Sequence, residues 1–223
     1  MTALLRYQAA LLVRSQRWLP PFLLYAAFLV VGVQSGQPVL DSLGYASAAL
    51  LPVAAWLVRI CVTNEPPAAR ACVAAATGPG RAHLAALLTA LGAAAALGTA
   101  ATLVVALISD PATNGHRTHV PPLESAAAGV LAALACALLG SAVGALTNPP
   151  LLRSPGRAVP AMLLAALLSV VLAGSPAQAA VSGLVTGSQS GRVPVPLLPL
   201  AAAAVLATAA FAVACALTGR RSP

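Results

Sequence analysis

The sequence predicts an all-α, polytopic membrane protein with six transmembrane helices, preceded by an amphipathic helix at the membrane surface. Three observations carry that expectation. Hydrophobic residues make up 60% of the chain and charged residues only 7%, whereas soluble domains carry roughly a quarter charged residues and need them at the surface. The apolar residues gather into long runs separated by proline-rich breaks. The arginines, finally, are concentrated on alternate connections.

A span needs about 20 mostly apolar residues to cross a hydrocarbon core of about 30 Å. Six segments meet or approach that length: 18–35, 42–62, 82–108, 123–146, 158–174 and 197–218. The third is long enough to tilt or project, and the fifth is the shortest. Between them stand Gln37-Pro38, Glu65-Pro66-Pro67, Gly78-Pro79-Gly80, Asp110-Pro111, Pro121-Pro122, Asn148-Pro149-Pro150 and Ser154-Pro155-Gly156. Proline ends helices because it lacks an N–H and its ring clashes with the preceding turn.

Orientation follows from charge. With the N-terminus inside, the cytoplasmic face carries Arg6, Arg14, Arg17, Arg59, Arg70, Arg81, Arg153, Arg157, Arg220 and Arg221, and the outer face only Arg117 and Arg192. That is a positive-inside distribution, with both termini expected in the cytoplasm of a cell-membrane protein. It also explains the net charge of +8 without a nucleic-acid partner, because no basic patch is interleaved with aromatics.

Residues 1–17 form the expected surface helix. On a helical wheel Arg6, Arg14 and Arg17 share one side, and Leu4, Leu5, Leu11 and Leu12 the other, a pattern suited to anionic headgroups. Residues 18–223 form the transmembrane domain. Within it, 65–77 reads as a short cytoplasmic helix: Glu65 and two prolines suit a helix start, and Gly78-Pro79 a stop.

Little in the chain points to catalysis. No carboxylate lies deep in a span, where proton relays and ion pathways place them. Arg59 is the one charge nominally inside a span, near enough to its end to snorkel. The His116-Arg117-Thr118-His119 segment with Asp110 and Glu124 is the one cluster of metal or acid–base type, and reads as a solvated outer loop. Gly187-Ser188-Gln189-Ser190-Gly191 fails the G-x-S-x-G pattern, and Gly78-Pro79-Gly80-Arg81 fails that of a phosphate-binding loop. Cys61, Cys72, Cys136 and Cys215 follow no zinc or redox spacing. Gly32/Gly36 and Gly140/Gly144 satisfy GxxxG, compatible with close helix packing. No catalytic, cofactor-binding or metal site is therefore expected.

The surface helix, the six spans and the 65–77 helix together resemble the membrane subunit (permease) of an ABC exporter of the type-2 class found in actinobacteria. So does the texture of Leu5-Arg6-Tyr7-Gln8, Ser15-Gln16-Arg17-Trp18-Leu19-Pro20-Pro21, Gln37-Pro38-Val39-Leu40-Asp41 and Glu65-Pro66-Pro67-Ala68-Ala69-Arg70. The resemblance implies a coupling helix at 65–77 that docks on a separate ABC ATPase, with Glu65, Arg70 and Arg81 as the coupling residues and 148–157 as a lesser contact. It implies a homodimer of permeases with two ATPases, ATP and magnesium being held by the partner, and a short re-entrant element at 178–186. The cargo class expected is apolar or amphipathic: a lipid, a peptide or a drug-like compound. Two other readings stay open. A secondary transporter or channel predicts intramembrane ionisable groups or broken helices, for which Pro52 and Pro160 are the candidates. A membrane enzyme needs a catalytic set within the bilayer, and none is apparent.

Overall fold

A computed structural model describes residues 1–112, 120–152 and 154–220. The described chain is helical, with no strand beyond one isolated bridge. In order, the helices are α1 (Thr2–Ser15), α2 (Leu19–Gly32), α3 (Val39–Thr63), α4 (Pro67–Thr77), α5 (Pro79–Ile108), α6 (Pro122–Thr147), α7 (Pro155–Val171), α8 (Pro176–Ser190) and α9 (Leu197–Arg220).

Four of these, α3, α5, α6 and α9, are long and apolar enough to cross a membrane. A fifth crossing is available if α7 and α8, bent by 43° at a short break, count as one. The remaining expected span, 18–35, contains only the 14-residue α2, which rises about 21 Å at the usual pitch. Proline at its start and extended Val33 at its end confine the helix to that length.

The core is the seam between α3 and α6. In their most apolar stretches 67% and 61% of residues are buried, against 28% in both α5 and α9, so α3 and α6 are central and the other two have lipid-facing sides. Small residues make the seam close. A Cβ on Gly140 would lie 2.3 Å from the Leu51 carbonyl oxygen, and one on Gly144 2.8 Å from that of Ala55. The second GxxxG pair is therefore an intramolecular contact. In the first pair, Gly32 receives the Tyr45 ring, whose Cε1 would stand 2.0 Å from an added Cβ. Pro52 sits inside an unbroken α3 and Pro160 inside α7.

The end of the bundle away from α1 is closed by backbone. Val39 N–H donates to Asp110 O and Asp110 N–H to Gln37 O, both at 3.0 Å, which clips the α2–α3 connection to the end of α5. Beneath it Val33, Val39, Leu43, Val105, Val120 and Leu184 form an apolar cluster.

The α7–α8 pair departs from expectation. Segment 158–174 was expected to be one span, with only a short re-entrant element after it. Instead α7 stops at Val171, Gly174 turns with φ +92°, and Pro176 starts a full 15-residue helix. Met162 and Ala166 of α7 pack with Ala55 and Val143, whereas Ala180 and Leu184 of α8 pack with Val39 and Leu43. The two halves thus pack at different heights along α3, a bent pair of the kind formed by a broken span or a re-entrant loop. The His116/His119 cluster and Arg153 lie outside the described residues.

Candidate functional site

Both termini come to one end of the bundle. There α1, the α3–α4 connection, α4, the start of α5 and the end of α9 meet around a cavity of about 800 Å³. Thr218 of α9 and Gln8 of α1 both line it.

The junction is built on Glu65. Its side chain is buried, 8% exposed, and both carboxylate oxygens are taken by α1. Tyr7 Oη donates to Oε1 at 2.9 Å and Gln8 Nε2 to Oε2 at 3.3 Å. Donating a hydrogen bond to a carboxylate raises the Tyr7 phenol above its ordinary pKa, with burial and the charge of Glu65 adding to the effect. Asn64 Nδ2 donates to the Leu11 carbonyl at 3.2 Å, a second tie between the α3–α4 connection and α1. The inward side of α1 carries Leu4, Leu5, Gln8, Leu11 and Leu12, while Arg6, Arg14 and Arg17 are exposed. Gln16, in the left-handed region at φ 54°, turns the chain from α1 into α2.

Helix α4 follows directly. Pro67 occupies its first turn, and Gly78, at φ 90°, donates its N–H to Ala74 O and hands the chain straight to α5 at Pro79. A residue with a Cβ adopts that φ only at a cost, so the glycine makes the corner. No residue of α4 is fully buried. Its exposed positions, Pro67, Ala68, Ala71, Cys72, Ala75 and Ala76, fall on one side of a 3.6-residue helix, a smooth strip of small side chains whose inner edge, Pro67, Ala71 and Ala75, lines the cavity. The opposite side, with Val73 and Ala74, is half-buried where α4 packs along α5.

The three expected coupling residues part company here. Glu65 faces inward and is committed to α1. Arg70 turns back, its guanidinium donating to the Val62 carbonyl that ends α3. Arg81 is exposed at the start of α5. All three lie at the same end of the molecule, but only Arg81 faces outward.

Sequence reasoning passed over Tyr7, Gln8, Asn64, His83 and Asn148. His83 is 8% exposed and lines the cavity, and its Nε2 has no hydrogen-bond partner among the described residues. Asn148 is fully buried. Its Oδ1 accepts from Arg59 Nη1 at 2.8 Å, and its Nδ2 donates to Gly144 O at 2.8 Å. Arg59 therefore does more than snorkel: it ties the end of α3 to the end of α6. Among the described residues no group of three or more His, Cys, Asp or Glu side chains is arranged to hold a metal.

No protein-family model, curated protein or solved structure matches this chain. Its function is argued from its own residues.

Proposed function

We propose that this chain is the membrane-spanning permease subunit of an ATP-binding cassette exporter, with six spans and both termini in the cytoplasm of a cell-membrane protein. The observation that carries the reading is α4: a short helix with defined ends, buried nowhere, showing a strip of small residues at the end that gathers both termini. A partner's groove can approach such a strip closely. Arg6, Arg14, Arg17, Arg70 and Arg81 stand at that same end, while Arg192 lines a depression beside α8 at the other, which supports a cytoplasmic face for α4.

In this reading the ATPase is a separate subunit that supplies ATP and magnesium, and two permeases with two ATPases form the complex. The chain itself performs no covalent chemistry. Movement of α4 reaches α5 through their shared contact, α3 through Arg70 on Val62, and α1 through Glu65. The cargo is an apolar or amphipathic molecule. Cys72 offers the direct test, being the one exposed cysteine of four. A short bifunctional thiol reagent should link Cys72 to a co-expressed ABC ATPase, and Ala76→Arg, which lies outside the cavity wall, should abolish both the link and any stimulation of ATP hydrolysis. Co-purification and stimulation that survive deletion of 67–77 would sink the proposal.

One observation favours a second reading. Broken helices mark secondary transporters, whose substrates bind where a span is interrupted, and α7–α8 is such a pair. Uptake into ATP-free liposomes driven by an ion gradient would support that reading over the first.

A further inference from the structure

We propose that the cavity between α1, α4 and α5 is a binding site for an amphiphile with an anionic head, a phosphate or a carboxylate, and an apolar tail. Its volume of about 800 Å³ falls within the roughly 300–1,000 Å³ typical of small-molecule sites. The site requires no ATPase and stands or falls separately from the export reading.

The polar groups facing the cavity differ in how far they are already engaged. Glu65 has both oxygens accepting from α1. Gln8 is spent on the same contact. Arg70 gives one donor to the Val62 carbonyl, but a guanidinium carries five N–H groups in a fixed fork, and among the described residues this one faces no carboxylate within ion-pair distance. His83 Nε2 is buried with no partner, an arrangement that folded proteins rarely leave uncompensated. What remains available is thus a cation and a ring nitrogen, which together suit an oxyanion.

Thr63 and Thr218 also line the cavity, but their hydroxyls already donate to the Arg59 and Ala214 carbonyls, and the rest of the wall is apolar. Val62, Pro67, Ala74, Pro79, Ala82 and Ala86 line it, and none can hydrogen-bond a hydrated ion through its side chain. A free anion would leave this surface unmatched, whereas an alkyl tail covers it. Helix α1 reaches the cavity through Gln8, and its leucines turn inward while its arginines turn out, the pattern of a helix lying at a lipid–water boundary. A single-chain lipid reaches such a depth with its head level with Arg70 and His83.

The test uses the purified full chain in a neutral detergent, titrated separately with lysophosphatidate, palmitate, lysophosphatidylcholine and inorganic phosphate, and read by native mass spectrometry and thermal shift. One lysophosphatidate or palmitate should bind per chain and raise the melting temperature. The zwitterionic lipid should bind at least about tenfold more weakly, as should either anionic lipid to Arg70→Gln or His83→Phe, each of which removes a donor to the charged head. Because Arg70 also holds the Val62 carbonyl, Ala74→Trp is the decisive variant: it fills the cavity without removing a polar group and should abolish binding. Inorganic phosphate binding as tightly as lysophosphatidate would overturn the assignment of an amphiphile. Anionic-lipid binding unchanged by Ala74→Trp would overturn the site.

Discussion

The α3–α6 seam and the α1–α4 junction are built on opposite plans. The seam is dry and close, its helices brought together where Gly140 and Gly144 lie against the Leu51 and Ala55 carbonyls. The junction is hydrogen-bonded and hollow, with Tyr7, Gln8, Asn64 and Arg70 bonding between elements beside a cavity. The first arrangement resists change because neither helix has side-chain volume to give up. The second has slack in it, and its contacts are individually small. The proposed function draws on both, a bundle that holds and a junction that passes movement to a neighbour. Here they share α3, which runs from one into the other.

Four substitutions test that contrast. Gly140→Val puts a branched side chain into the Leu51 carbonyl and should cost about 3 kcal/mol or more, since overpacking against backbone cannot be relieved by a rotamer change. A melting temperature in detergent that stays at the wild-type value would show that the seam is looser than described. Asn148→Leu should come next, at about 2 kcal/mol, because it strands the Arg59 guanidinium and the Gly144 carbonyl together. Denaturant titration of the purified protein measures it, and Arg59→Leu in the same background should recover part of the loss.

At the junction the effects should be smaller and local. Tyr7→Phe removes one hydrogen bond to Glu65, worth about 1 kcal/mol. The expected result is faster amide exchange in α1 with little change in α3. Equal acceleration in both would mean that the junction and the seam unfold as one. Gly92→Ala should be the mildest. Nothing lies within 4 Å of a Cβ there, so mid-helix α5 should gain about 0.5–1 kcal/mol from the better helix former. A loss instead would place an unrecognised neighbour against that side of α5.

What the sequence disclosed depended on whether the cause was local. Helix α4 was legible because its ends are local: Pro66-Pro67 starts it, Gly78-Pro79 stops it, and the described helix runs Pro67–Thr77. The division of α1 into an arginine side and a leucine side was legible from spacing alone. The direction of Glu65 was not. A carboxylate beside two prolines reads as a helix-start charge, yet it is buried against residues 57 and 58 positions away, and tertiary contacts override such local preferences. Arg59 was misjudged for the same reason, its partner Asn148 being 89 positions distant. The break between α7 and α8 was half legible. Gly174-Ser175-Pro176 signals a stop, but a stop carries no information on the direction the chain takes next, and the 43° bend goes with packing on both α3 and α6. For α2 the run of apolar residues extends past Gly32, but Val33 is extended and Gln37-Pro38 is drawn into the Asp110 clip, so hydropathy overstated the helix.

The tie between α1 and Glu65 also sets a timetable. Tyr7 and its acceptor are 58 positions apart, so α1 leaves the ribosome with no carboxylate to hold it until α3 has been made. At synthesis rates of about 5–20 residues per second that interval is roughly 3–12 seconds. Throughout it the segment can rest on the lipid surface by its leucines alone, and it is fixed in place only after α3 has been inserted and its last turn has been exposed. Helix α1 is therefore secured only after α3 is complete, yet before most of the bundle has been made.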